Sequence, residues 1–164
     1  MVGHSGAGAV LPLIADHLTT PGLQLMSVDA GVPPCSGTVR AGSDFLPALQ
    51  NLATNGVLPP WSRWRGEGVM EALIHDHQRR HEVEHELPQV PLRFYDTPIM
   101  LPTDWCRTTC SYVLLSDAYE GDANSAASLG WPVVERLGAH LDIINDGEPL
   151  ADTLIELASR RRSR

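Results

Sequence analysis

The sequence has little of what marks membrane, disulfide-rich or nucleic-acid-binding proteins. Three of its 164 residues are cysteine, 5% are aromatic, and no apolar run approaches the roughly 20 residues that a membrane span needs. Twelve basic residues against 20 acidic ones give a net charge of −8. We therefore expect no membrane partner and no nucleic-acid partner, since nucleic acids bind basic surfaces. The one basic run, residues 160–164, is typical of the last turn of a helix.

The cysteines are Cys35, Cys106 and Cys110, an odd number without the spacing of a metal site. We predict free thiols in a reducing environment, with a Cys106–Cys110 bridge as the alternative. The start of the chain lacks the charged and apolar regions of a signal peptide. The sequence therefore predicts a cytoplasmic protein.

With 43% hydrophobic and 20% charged residues, the chain is globular in composition and long enough for one core. Short apolar runs predict strands, and apolar residues at helical spacing predict helices between them. This alternation indicates an α/β protein with a mostly parallel sheet flanked by helices. The predicted strands are 23–28, 111–116 and 130–137, and the predicted helices of this part are 9–18, 124–129 and 149–158.

The middle of the chain has a different character. Prolines and charges are frequent there, which does not suit a central sheet, and two helices are predicted at 45–53 and from about 68 to 86. We interpret this region as a helical cap insertion. The predicted organisation is a first core segment at 1–42, the cap at 43–104 and a C-terminal core segment at 105–164.

The opening sequence MVGHSGAG matches a nucleophile elbow, the sharp strand-to-helix turn that exposes a catalytic serine. Ser5 would be the nucleophile. Gly3, two residues before it, and Ala7, two residues after it, are small enough for such a turn, and Gly6 and Gly8 add room. The match is therefore G-x-S-x-A. A flexible glycine-rich terminus is the alternative interpretation of the same residues.

The order of the remaining polar residues adds to this motif. Carboxylates follow the predicted strand 111–116, and His140 follows the last predicted strand in the motif GAHL. Serine, then acid, then histidine is the chain order of the triad in α/β-hydrolases. On GHSGAG, LQLMSVDAGVPP, SYVLLSDAY and GWPVVERLGAHLDIIND, the chain resembles the α/β-hydrolase family.

The resemblance implies a role for each residue. Ser5 would attack an acyl carbonyl, His140 would transfer the proton, and the backbone N–H of Gly6 would bind the oxyanion. Asp117 is the first choice for the acid that orients His140. Asp122 and Asp29 are its rivals, because some members of the family place the acid at the end of the preceding strand, where Asp29 lies.

The resemblance begins at the elbow, so about three strands of the family's sheet are expected. We expect a chain truncated before the elbow, either because the working protein starts upstream of Met1 or because this is a true fragment. The loop that supplies a second oxyanion donor in the family has no counterpart, so we expect little esterase activity from these 164 residues. An uncovered sheet edge would favour a homodimer.

The predicted function is a serine esterase or amidase acting on a small acyl substrate, without a cofactor. A non-catalytic binding or interaction fragment of the same fold is the alternative. Aromatic residues of the cap suggest a partly apolar substrate, although aromatic residues in a cap more often serve packing than ligand contact. These residues are Trp61, Trp64, Phe94 and Trp105.

A second motif belongs to a different class of enzyme. The run HEVEH at 81–85 fits H-E-x-x-H, in which His81 and His85 would bind zinc and Glu82 would act as the base. Pro88 ends the helix soon afterwards, and charged residues surround the motif. We therefore rank a zinc-dependent hydrolase below the serine hydrolase and expect a solvated helix without a bound metal.

Overall fold

A computed structural model describes residues 1–40, 45–66 and 68–159. The predicted start of the cap at residue 43 and the basic run at 160–164 lie outside the described residues. Within those residues, no helix combines the length and the apolar character needed to cross a bilayer.

The described residues form eight strands, eight α-helices and four short 3₁₀ segments. The strands are β1 (Val2–Ser5), β2 (Gln24–Ala30), β3 (Thr38–Arg40), β4 (Val57–Leu58), β5 (Val90–Pro91), β6 (Pro98–Met100), β7 (Thr109–Leu114) and β8 (Val133–Glu135). The α-helices are α1 (Leu11–Asp16), α2 (Leu46–Leu52), α3 (Val69–Leu73), α4 (His77–Glu86), α5 (Arg93–Asp96), α6 (Glu120–Ser128), α7 (Asp142–Asn145) and α8 (Gly147–Ser159). The 3₁₀ segments are Gly6–Val10, Trp61–Arg63, Trp105–Arg107 and Asp117–Tyr119.

The main sheet has four parallel strands in the order β1-β2-β7-β8. This confirms the predicted α/β class with a mostly parallel sheet. The sheet has four strands rather than about three, because the four residues of β1 pair with β2 over their full length. The last predicted strand, 130–137, is reduced to the three residues of β8. β3 pairs with β6, and β4 with β5, in two small two-stranded sheets.

Both faces of the main sheet are buried, as expected for parallel strands that are covered by helices on each side. Alternate residues of β2 and β7 point to opposite faces. One face packs against α6 and the segments around Trp105 and Trp131, in a cluster of Leu25, Leu101, Trp105, Cys110, Tyr112, Leu114, Ala123, Ala126 and Trp131. The other face packs against α8, in a cluster of Met26, Val28, Val113, Leu115, Leu150 and Leu157.

The chain divides into two compact units. The first unit contains Met1–Val39 and the chain from Ile99 onward, and the second unit is Arg40–Pro98. The second unit overlaps the predicted cap at 43–104, whose role as a cap stays a prediction. The helix predicted from about 68 to 86 is two helices, α3 and α4. The break falls before Asp76, which caps α4 by accepting the backbone N–H of Arg79 on its side chain at 2.8 Å.

The cysteines depart from the prediction. Cys35 and Cys106 form a disulfide across 71 residues of sequence, and Cys110 is a buried thiol. The expectation of free thiols is therefore wrong for Cys35 and Cys106, and the alternative Cys106–Cys110 bridge is wrong as well. The partners are far apart in sequence and meet because the chain returns to the first unit after the second, so spacing alone did not reveal them.

Candidate active site

Ser5 ends β1 and is followed directly by the 3₁₀ segment Gly6–Val10. Its backbone angles are φ 55° and ψ −127°, in a region that a residue with a side chain rarely adopts. Such a conformation costs about 1–3 kcal/mol and persists only where the surrounding structure enforces it. The predicted sharp turn is therefore present, and it directs the chain away from the sheet at the serine.

Two of the glycines around Ser5 are required by close packing. A Cβ atom at Gly3 would lie 2.7 Å from a methyl group of Leu11, and one at Gly8 would overlap the carbonyl oxygen of Gly31. Ala7 and Gly6 are exposed, so the need for small residues falls on Gly3 and Gly8. The N–H of Gly6 lies in the first turn of the 3₁₀ segment, where backbone donors have no partner within the helix.

Asp29 lies one residue before the end of β2, at an irregularity in the sheet. His4 is opposite Val28 and Ser5 is opposite Ala30, so Asp29 is the extra residue of a bulge. Its φ of 42° is also positive. A bulge can redirect a side chain that the regular pleat would have pointed elsewhere. Ser5 and Asp29, two of the non-glycine residues with positive φ, are thus neighbours on adjacent strands.

The carboxylate of Asp29 is completely buried and accepts four hydrogen bonds. Oδ1 accepts the backbone N–H groups of Leu115 and Ser116 at 2.7 and 3.0 Å. Oδ2 accepts the hydroxyl of Ser116 at 2.5 Å and Nδ1 of His140 at 2.9 Å. Burial raises the pKa of Asp29, but these hydrogen bonds outweigh it, and the pKa lies below its ordinary 3.8. Asp29 is therefore ionised at neutral pH.

His140 lies in the loop between β8 and α7, and backbone contacts hold this loop against the end of β7. The N–H groups of Arg136 and Gly138 donate to the carbonyls of Leu114 and Leu115, both at 2.8 Å. An ionised carboxylate can only accept, so Nδ1 of His140 carries the proton it shares with Asp29. In the neutral ring, Nε2 is then the nitrogen able to accept a proton.

His4 contacts the same histidine. Its Nε2–H donates to the carbonyl oxygen of His140 at 2.8 Å, and the two rings stack with centroids 4.4 Å apart. Burial is the main cause that lowers the pKa of His4, and repulsion from His140 lowers it further. The hydrogen bond to His140 and the charge of Asp29 act in the opposite direction but are weaker. His4 is therefore neutral at pH 7 and supports the histidine loop.

Tyr119 contacts both Ser5 and His140, and sequence reasoning missed it. Its hydroxyl lies 3.2 Å from Oγ of Ser5, and its ring stacks on the imidazole of His140 with centroids 5.0 Å apart and planes 9° apart. Its only sequence signal was its position, three residues after Ser116 in the segment that follows β7. Ser116, which binds Asp29, was missed as well.

The other two carboxylates considered for the acid lie elsewhere. Asp117 begins the 3₁₀ segment Asp117–Tyr119 and is exposed. Asp122 lies on α6, and its Oδ1 accepts the backbone N–H of Val32 at 2.7 Å, which caps the loop after β2. The preference for Asp117 therefore does not match the contacts: among the three candidates, Asp29 is the carboxylate that binds His140. The reason is the bulge, which sequence spacing does not reveal.

The HEVEH motif lies on α4 in the second unit. Its histidine rings are parallel, with centroids 6.4 Å apart, and both residues are exposed. Oε1 of Glu82 accepts the side-chain amide of Gln78 at 2.9 Å. Across the residues that the structure describes, no three histidine, cysteine, aspartate or glutamate side chains come together as metal ligands. The motif therefore lacks a third protein ligand within the described chain.

The aromatic residues considered for the substrate pocket are divided between the two units. Trp105 belongs to the first unit, where it is buried, packs edge-on against Trp131, and donates its Nε1–H to the carbonyl of Pro34 at 2.9 Å. Trp64 packs against Tyr95 within the second unit and donates to the carbonyl of Pro59. Phe94 is 55% exposed and also contacts Tyr95. Trp105 is thus a core residue.

Solved structures provide the comparison. The chain is similar to an extracellular α/β-hydrolase from a Paenibacillus species, which is described as sharing structural and functional homology with tobacco salicylic acid binding protein 2. The TM-score is 0.72 and the sequence identity 15%, and the similarity covers 97% of this chain and 71% of that one. Polyneuridine aldehyde esterase is similar with a TM-score of 0.63 and 12% identity, over 96% and 71%. A hypothetical protein from Pseudomonas aeruginosa PAO1 has a TM-score of 0.50 and 17% identity, over 96% and 65%.

At the level of sequence, no protein-family model matches the chain and no curated protein is significantly similar to it. The similarity is therefore one of fold. It extends over nearly the whole chain, including the parallel sheet β1-β2-β7-β8. The chain has the α/β-hydrolase fold.

Proposed function

We propose that the chain is a serine hydrolase of the esterase or amidase type, in which Ser5 is the nucleophile, His140 the general base and Asp29 the acid. Asp29 is assigned as the acid in place of Asp117 because, of these two carboxylates, Asp29 is the one that binds Nδ1 of His140. The hydrogen bond from His140 to the buried, ionised Asp29 at 2.9 Å, beside a serine with strained backbone, is the observation that carries it.

The reaction follows from the protonation states. Ser5 Oγ attacks the carbonyl carbon of an acyl substrate while its proton passes to Nε2 of His140. Asp29 holds the ring in the tautomer with Nδ1 protonated and stabilises the imidazolium. The bond to the leaving group then breaks, and His140 donates the proton to the departing oxygen or nitrogen. Water next attacks the acyl-enzyme by the same route, which releases the acid and restores Ser5.

The backbone N–H of Gly6 is the proposed oxyanion donor. It follows the nucleophile directly and has no partner within its helix. A single donor of this kind is worth roughly 3 kcal/mol in the transition state. With one donor identified, we expect formation of a covalent adduct at Ser5 to be easier to detect than rapid turnover.

The proposed substrate is a small acyl compound. One of the solved neighbours is named an esterase, which makes an ester the first substrate class to test. The chemistry of an attacking serine is compatible with this class, because an ester readily transfers its acyl group to a hydroxyl nucleophile.

The test is hydrolysis of p-nitrophenyl acetate by the purified chain in the presence of a metal chelator. We expect slow release of p-nitrophenol that Ser5→Ala abolishes and that the double variant His81→Ala/His85→Ala leaves unchanged. If Ser5→Ala retained the wild-type rate, the serine mechanism would be wrong. If the chelator or the histidine double variant abolished the rate instead, the metal-dependent alternative at 81–85 would replace it.

A further inference from the structure

We infer that Tyr119 is a positioning residue of the hydrolytic site, an inference that rests on the proposed function of Ser5 and His140. Its hydroxyl would fix the side chain of Ser5, and its ring would fix the plane of the imidazole. One side chain would thereby set the relative orientation of the nucleophile and the base.

The hydroxyl of Tyr119 is 3.2 Å from Oγ of Ser5, within hydrogen-bond distance. Its ring is nearly parallel to that of His140, with 9° between the planes and 5.0 Å between the centroids. Ser5 and His140 are 135 residues apart in sequence, and Tyr119 contacts both. A serine hydroxyl rotates freely unless a partner restrains it, so this hydrogen bond selects among its orientations.

The ring of His140 is restrained on three sides. Asp29 holds Nδ1, the ring of His4 stacks on it at 4.4 Å, and the ring of Tyr119 stacks on it at 5.0 Å. The hydrogen bond to Asp29 fixes one ring atom but leaves rotation about that contact. The stacked rings restrict this rotation, which determines where Nε2 points.

Tyr119 is itself held by the segment that binds the acid. Its backbone N–H donates to the carbonyl of Ser116 at 3.1 Å, and the hydroxyl of Ser116 donates to Asp29 at 2.5 Å. The 3₁₀ segment Asp117–Tyr119 therefore connects the position of the tyrosine ring to that of the carboxylate. Displacement of this turn would move the partners of Ser5 and His140 together.

Two variants separate the contributions of hydroxyl and ring. Tyr119→Phe keeps the stacked ring and removes the hydrogen bond to Ser5, and Tyr119→Ala removes both. Tyr95→Phe is the matched control, since it removes a tyrosine hydroxyl in the second unit, where Tyr95 packs against Trp64. The first readout is the rate at which a fluorophosphonate modifies Ser5, with KM and kcat for p-nitrophenyl acetate alongside. The second is the set of ¹H shifts of the His140 ring, which respond to a stacked aromatic ring whether or not the protein is an enzyme.

We expect Tyr119→Phe to slow modification of Ser5 about three- to tenfold, as for a lost hydrogen bond, and to lower kcat with little change in KM. Tyr119→Ala should slow it about a hundredfold, as for a misplaced catalytic group, and should shift the His140 ring protons. Tyr95→Phe should match the wild type in every readout.

The failures are distinguishable. If Ser5 is modified equally fast in Tyr119→Phe, Tyr119→Ala and the wild type, the role of Tyr119 is wrong and the hydrolase proposal survives. A rise in KM with unchanged kcat would also overturn the positioning role and make Tyr119 a substrate contact. If Ser5 of the wild type is not modified, the hydrolase proposal fails. In that case, a shift of the His140 ring protons in Tyr119→Ala would still support stacking of Tyr119 on His140. An unchanged spectrum would show that the stacking is wrong as well.

Discussion

The segments GHSGAG at 3–8 and HEVEH at 81–85 both match motifs of hydrolytic enzymes, yet their surroundings differ. Ser5 lies in a strained turn at the end of a sheet strand, and on the neighbouring strand the buried Asp29 accepts a hydrogen bond from His140. His81 and His85 lie exposed on α4, and the described residues supply no third ligand. The difference shows that a short motif needs partners from distant parts of the chain. At Ser5, the parallel sheet places Asp29 on the neighbouring strand.

The largest expected effect concerns the acid. Asp29→Asn keeps the shape of the side chain but removes the charge that holds Nδ1–H of His140. We expect Ser5-dependent hydrolysis to fall by about 10³–10⁴-fold, as for loss of a triad acid. Asp117→Asn, an exposed change on the following segment, should keep the wild-type rate. The reverse outcome, in which Asp117→Asn inactivates and Asp29→Asn does not, would restore the first choice made from the sequence.

The disulfide joins the two sequence segments that form the first unit. Cys35 and Cys106 close a loop of 71 residues that contains the whole of Arg40–Pro98. By chain entropy, such a loop contributes up to about 4 kcal/mol. We expect the double variant Cys35→Ser/Cys106→Ser to lose a large part of this free energy in urea unfolding, with Cys110→Ser as a control for the loss of a thiol. Equal stability of wild type and double variant would mean that the bridge does not constrain the chain.

The stability of the chain is expected to depend on pH through His4, which stacks on His140. Burial, and in second place repulsion from His140, make the pKa of His4 lower in the folded chain than in the unfolded chain. Below about pH 6.5, the unfolded chain therefore binds a proton at His4 more readily than the folded chain does. The contribution of His4 to the free energy of unfolding is therefore fully present above pH 6.5 and is lost as the pH falls below it. His4→Gln keeps a donor for the carbonyl of His140 but cannot titrate. We expect the unfolding free energy to fall more between pH 7.5 and 5.5 in wild type than in His4→Gln; parallel curves would contradict the assignment.

The smallest expected effect is at α4. His81→Ala and His85→Ala remove exposed side chains far in sequence from Ser5, Asp29 and His140. We expect changes within about 0.5 kcal/mol in unfolding free energy and no change in ester hydrolysis. A zinc-dependent rate lost in either variant would break the distinction between the two motifs.

The sequence predicted the parts of the fold that depend on local pattern. The apolar runs around Leu25 and Val113 identified the central strands, and GHSGAG identified the turn at Ser5. Asp29 was only a rival for the acid, because its contact with His140 depends on a bulge relative to β1. Likewise, the Cys35–Cys106 bridge and the contact between Tyr119 and Ser5 join residues more than 70 positions apart. Periodicity and spacing describe neighbours along the chain, so they could not predict these pairs.

Peptide mapping of the chain after reaction with a fluorophosphonate is the most direct test of the proposed triad. We expect one adduct, on Ser5, that is absent from Ser5→Ala and forms much more slowly in Asp29→Asn. An unmodified Ser5, or an adduct that forms at the same rate in Asp29→Asn, would contradict the proposal that Ser5, His140 and Asp29 act as a triad.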